Sequence, residues 1–221
     1  RRSRMFDEML PMFLASFWET LVMVGISGVL GALVGLPLGI VLFLTEPGGV
    51  LENAAAHRAM GLTVNAVRST PFIILLVAVI PLTRLVVGTS IGTAAAVVPL
   101  TIAAAPFIAR LVETALREVD RGLIETAEAL GATTHQIVFK VLLPEALPGI
   151  VAGLTITFVS LVGYSAMAGA IGGGGLGDLG IRYGYQRFLP EVMLAVVAVL
   201  VVFVQLVQSL GDWLVRRLSH R

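Results

Sequence analysis

The groups best able to do chemistry are three histidines, His57, His135 and His220, and two carboxylates, Glu125 and Glu128, inside the polar stretch 118–147. The histidines lie in separate polar segments, so their spacing supports neither a metal cage nor a histidine base. The chain has no cysteine, which excludes disulfides, thiolate catalysis and cysteine metal sites. Gly172 to Gly175 resemble a phosphate-binding loop only in glycine content, because no Lys-Ser or Lys-Thr pair follows and no strand precedes. No catalytic residue, no metal site and no bound cofactor are therefore expected on this chain.

The element that holds the two carboxylates, 118–149, is the long polar island between hydrophobic runs. It reads as two short amphipathic helices. In the first, Leu123, Ile124, Ala127 and Leu130 recur at helical spacing on one side, while Glu125 and Glu128 face elsewhere. Gly131 suits the left-handed position just past a helix end. Thr133 and Gln136 form an expected capping box, and Ile137, Val138, Val141 and Leu142 make a second apolar stripe. Pro144 and Pro148 mark the boundary with the next hydrophobic run.

Around this island the composition is that of a membrane protein. Of 221 residues, 57% are hydrophobic and 13% charged, with a mean hydropathy of +0.96, whereas soluble domains carry about 25% charged residues. The net charge of +1 gives no support to a nucleic-acid surface. The expected fold is all-α and polytopic, with five transmembrane helices at about 21–44, 62–82, 85–109, 148–168 and 192–211. These belong to one transmembrane domain, 21–213, after an N-terminal interfacial segment, 1–20, in which Phe13, Phe17 and Trp18 suggest an amphipathic turn.

Gly31, Gly35 and Gly39 lie four apart on the first span, where small residues let a second helix approach closely. Pro37 is expected to bend that span, and Arg68 to snorkel or face the bundle interior. Pro99 and Pro106 free carbonyls in the third span. Pro148 is expected to open the fourth, and Gly169 to Gly180 to form a tight re-entrant or extracellular turn, tolerable at membrane depth only when buried in protein. Gln205 and Gln208 are placed to bond across a helix interface. Trp213, Arg216, Arg217 and Arg221 give an aromatic anchor and a basic tail, 214–221, that reads as cytoplasmic. Five spans then put the N-terminus outside. The basic residues favour that orientation more strongly if Met5 is the native start, since Arg1, Arg2 and Arg4 then leave the outer side.

Glu125, Thr126, Ala127, Gly131, Val141, Leu143 and Pro144 fall in the register Glu-Ala-Ala, three residues, Gly, nine residues, Ile, one residue, Leu-Pro. This resembles the signature loop of bacterial ABC importer permeases, with Thr126 for the usual Ala and Val141 for the usual Ile. The runs RSTPFIILLVAVIPLTRLVVGTSIG from Arg68, VVPLTIAAAPFIAR ending at Arg110, and YSAMAGAIGGGGLGDLGIRYGY further resemble the methionine-importing branch of that family.

The resemblance implies a subunit of the bacterial inner membrane that forms the translocation route for D- and L-methionine as a homodimer. Segment 118–147 would be its cytoplasmic coupling helix, docked on an ATP-binding subunit, with Glu125 or Glu128 in an ion pair there. Implied partners are a second copy, two ATP-binding subunits carrying ATP and magnesium, an extracytoplasmic methionine-binding protein, and membrane lipid. Ser160, Tyr164, Ser165 and Met167, late in the fourth span, are the candidate pathway residues, where hydroxyl and soft apolar groups suit a thioether. Core packing is an alternative role for Met167. A permease for another small solute, such as a quaternary amine, would share the loop but call for an aromatic cage, and the aromatic residues here are few and scattered. A membrane scaffold without transport would leave the loop unexplained.

Overall fold

The computed structural model describes residues 2–219, with side chains from residue 7 onward. Arg1, His220 and Arg221 lie outside the described residues, as do the side chains of Arg2, Arg4 and Met5. The described residues are helical nearly throughout, in the order α1 (Arg2–Thr45), α2 (Ala54–Ser69), α3 (Phe72–Ala78), α4 (Ile80–Val87), α5 (Thr93–Arg117), α6 (Arg121–Ala129), α7 (Thr134–Gln136), α8 (Leu143–Ala168), α9 (Gly175–Leu179) and α10 (Pro190–Ser219). Wider π turns occupy Ile137–Leu142, Gly169–Gly173 and Gly180–Gln186.

Four helical runs among the described residues are long and apolar enough to cross a membrane: Asp7–Thr45, Thr93–Arg117, Thr134–Gly173 and Pro190–Ser219. Counted as one span, the bent pair α2 and α3 makes five. The core lies where α1, α5 and α8 meet, around Leu100, Ile108, Leu116, Leu142 and Leu161.

Small residues set the distance between α1 and α5. A Cβ on Gly31 would lie 2.7 Å from the Ala104 Cβ, and one on Gly35 or Gly39 would lie 2.6 Å from the carbonyl oxygen of Ala105 or Ala109. Nothing larger than hydrogen fits, so the two backbones touch along this line.

Several boundaries differ from the sequence expectation. In the expected interfacial segment 1–20, residues 2–20 form no separate turn: they belong to α1, which runs unbroken through Pro11 and Pro37. Phe13 and Phe17 pack against the cluster of Leu176, Leu179, Val192 and Val196, whereas Trp18 is exposed. The second span, expected as one run over 62–82, breaks at Thr70 and bends by 105° between α2 and α3. The cause is Pro71, whose ring disfavours helical geometry at the residue before it, and Thr70 is accordingly extended at φ −80 and ψ 123. The third span begins at Thr93 and not near residue 85, because Gly88, at φ 88, ends α4 in the left-handed conformation.

Pro148 does not open the fourth span. A continuous rod runs from Thr134 to Ala168 and leaves helical geometry at Ile171 and Gly172, and both Pro144 and Pro148 lie within it, with the π turn Ile137–Leu142 immediately ahead of Pro144. A proline in a helix removes one N–H and crowds the preceding turn; a wider turn just upstream relieves that crowding without ending the helix. Gln208 bonds within its own helix, to Asp212 at 3.1 Å.

Candidate functional site

Within the polar island, α6 is capped at both ends and the segment after it at its start. Asp120 accepts the N–H of Gly122 at 2.8 Å and starts α6. At the other end Gly131 sits at φ 77, and two backbone bonds close the turn: Gly131 N–H to the Glu128 carbonyl at 2.9 Å, and Ala132 N–H to the Ala127 carbonyl at 3.0 Å. This is a Schellman ending, and it needs a residue without a Cβ at position 131. Thr133 and Gln136 then form a reciprocal capping box, with the Thr133 N–H bonded to Gln136 Oε1 at 2.9 Å and the Gln136 N–H to Thr133 Oγ1 at 3.3 Å.

The apolar stripe of α6 is divided. Ile124 and Ala127 pack on the core, but Leu123 is exposed and Leu130 is 83% exposed. Glu125 and Glu128 are exposed as well, and neither is held by a hydrogen bond or an ion pair among the described residues. Thr126 spends its hydroxyl on the Gly122 carbonyl, at 2.6 Å. The exposed surface of α6 therefore offers two leucines on one side and two unpaired carboxylates on another, a combination suited to docking on another protein. In the second half Ile137, Val138 and Leu142 are buried, Val141 and Leu143 half-buried, and Pro144 exposed.

The loop after α1 stands beside this helix. Phe43, Glu46, Gly48, Gly49 and Val50 line a cavity of about 150 Å³ with Arg121, Ile124, Glu125 and Glu128. Close by, the Glu113 carboxylate is 0% exposed between Arg110, at 2.5 Å, and Arg117, at 2.6 Å. Arg117 continues to Glu46 at 2.8 Å, and Arg110 continues to Asn65 Oδ1 at 2.8 Å and to the Gly61 carbonyl at 3.4 Å. The sequence marks Arg110, Glu113 and Arg117 only as a polar end to α5. Their spacing puts them on one helix face, but the partners on α2 and after α1 have no local signal.

The pathway candidates are not all together. Met167 is 47% exposed; Ser160 and Tyr164, on the same side of α8 one and two turns earlier, are half-buried. The Tyr164 ring stacks on Phe72 of α3 at 4.8 Å. Ser165 is separate: it is 2% exposed and donates to the Val162 carbonyl at 2.7 Å. Beyond them the chain turns back through Gly172, Gly174 and Gly175, all at positive φ. Glu19 and Thr20 of α1 hold this turn, accepting the N–H groups of Gly175 at 2.6 Å and Leu176 at 2.9 Å. Sequence reasoning missed that clamp, since its two sides are 156 residues apart.

The two described histidines, His57 and His135, stay in different elements. His57 Nδ1 lies 2.9 Å from the Leu42 carbonyl, and the His135 ring tilts on Phe139.

A bundle of helices long and apolar enough to cross a membrane, with one capped polar hairpin between them, defines the class as a polytopic membrane protein. The chain belongs to the family of inner membrane components of binding-protein-dependent transport systems, which its residues 35–220 match. Within that family it is 56% identical over 210 residues to the probable D-methionine transport system permease protein MetI of Vibrio cholerae serotype O1, covering 95% of this chain and 93% of the relative. It is also 56% identical over 165 residues to the D-methionine transport system permease protein MetI of Escherichia coli K12, covering 75% and 76% of the two chains. Among solved structures, a chain of the MetNI methionine ABC transporter in an inward-facing conformation superposes with a TM-score of 0.94 at 54% identity, covering 96% of this chain and 98% of that one.

Proposed function

We propose that this chain is the membrane-spanning subunit of an ATP-driven importer for D- and L-methionine. Two copies would form the route along their two-fold axis, because five helices surround little of a polar pathway alone. Each would present α6 to one of two ATP-binding subunits, which hold the ATP and magnesium, and each would face an extracytoplasmic methionine-binding protein. The N-terminus would lie outside and the basic tail inside. The observation that carries the reading is the 56% identity to a D-methionine permease spread over 95% of the chain, which leaves no large part of the molecule for another role.

Mechanically, Leu123 and Leu130 would seat in the ATP-binding subunit, while Glu125 or Glu128 pairs with a cation there. Closure of the nucleotide-binding pair would swing α6, and the rod from Thr134 to Ala168 would carry that motion to Ser160, Tyr164 and Met167 as candidate pathway residues. Tight binding by the permease is not required, because capture rests with the binding protein.

Growth tests the proposal. A methionine auxotroph without its own methionine import, given this chain with its ATP-binding subunit and binding protein, is expected to grow on low D-methionine. Absence of growth while the complex is present in the membrane would count against methionine as the substrate.

A further inference from the structure

The Glu113 network is larger than the α5 helix end requires. One carboxylate with no exposure joins two arginines, and each arginine leaves α5: Arg117 reaches Glu46 after α1, and Arg110 reaches Asn65 and Gly61 of α2. The formal charges of Arg110, Arg117, Glu113 and Glu46 cancel, so the cluster is internally compensated at the inner end of three elements. Its member on the loop after α1, Glu46, lines the same cavity as Glu125 and Glu128 of α6. Only Glu118, Val119 and Asp120 separate α5 from α6, and Val119 is buried.

An apolar contact lets two helices slide past one another. Paired guanidinium and carboxylate groups do not, because their donors and acceptors meet in fixed directions. A displacement of α6 therefore meets α1, α2 and α5 as one linked body at this point.

Resting on the importer reading, we infer that Glu113 is a positioning residue for energy coupling: it ties α1 and α2 to α5 beside α6, so that a push on α6 turns these helices together and does not dissipate in the loop after α1. Arg110 and Arg117 are the two arms of the tie. Glu46 is the end nearest the partner.

The discriminating quantity is methionine carried per ATP hydrolysed, measured in liposomes on the full complex with its binding protein and counted per assembled complex. Glu113→Gln keeps the shape of the side chain and removes its charge. Its ratio is expected to fall about tenfold, an ordinary size for a coupling free energy, while ATP hydrolysis continues; Glu113→Asp is expected to recover part of the ratio. A purely structural role predicts fewer assembled complexes, each with the wild-type ratio, and that result would overturn the inference. Glu46→Ala covers the case in which Glu113→Gln does not assemble, because it leaves the Glu113 pairs in place and removes only the acceptor at the Glu46 arm. It is expected to lower the ratio at normal yield, and an unchanged ratio there would also overturn the inference. The wild-type complex reports on the importer reading separately. If it carries no methionine, that reading fails, and the same variants are judged by whether the binding protein still stimulates ATP hydrolysis.

Discussion

At the scale of single residues, side chains of similar type have opposite duties. Glu113 is enclosed between two arginines, whereas Glu125 is exposed and has a partner only if another protein supplies one. Glu125→Ala is accordingly expected to leave folding intact and to lower transport about tenfold, the effect of losing roughly 1.4 kcal/mol at an interface. Uptake by the reconstituted complex, alongside its melting temperature, checks both halves of this expectation. Gly35 makes the opposite kind of demand. A side chain there meets the Ala105 carbonyl at 2.6 Å and Ile108 at 2.7 Å, so Gly35→Leu forces α1 away from α5 and should destabilise the fold by about 1–3 kcal/mol or more. A lower melting temperature of the purified protein is the readout. The acidic face of α6 and the glycine line of α1 are both visible in the sequence, since each depends on neighbours within one helix. The Glu46 partner of Arg117 is not, because only the fold brings residues 71 positions apart into contact.

At the scale of elements, the hairpin of α6 and α7 is legible in the sequence because caps are local. Asp120, Gly131, Thr133 and Gln136 determine where each helix stops within a few residues, whatever the rest of the chain does. Gly131→Val would place a branched side chain at φ 77 and should cost about 1–2 kcal/mol. Thr133→Ala, which loses one arm of the capping box, should cost about 1 kcal/mol. Thermal melting orders the two, and the loosened hairpin should also reduce stimulation of the ATP-binding partner. The long helices are less legible. Hydropathy marks a run that can cross a membrane but says little about where the helix within it breaks. Thr70 before Pro71 is a readable break that the apolar run after it conceals. Pro144 and Pro148 mislead in the other direction, because a π turn leaves no mark in composition; this one covers Ile137–Leu142 and lets the rod pass through. The turn at Gly172 to Gly175 is recognisable by its glycines, but its clamp on Glu19 and Thr20 depends on α1 lying alongside.

At the scale of the whole molecule, the Glu113 network and the cavity beside α6 lie at one end of the bundle, and the clamped glycine turn beyond Met167 lies at the other. On the importer reading such a division suits a lever joined to a gate, with a second copy to enclose the route. Native mass measurement of the detergent-extracted complex is expected to give two copies of this chain with two ATP-binding subunits, and an active complex containing a single copy would refute the dimer. The central claim, that these parts move methionine into the cell at the expense of ATP, is met most directly by uptake of labelled methionine into liposomes holding the assembled complex and its binding protein. The account predicts accumulation that needs ATP and is competed by D- and L-methionine but not by a quaternary amine. Accumulation competed by the amine, or none despite active ATP hydrolysis and bound partner, would contradict it.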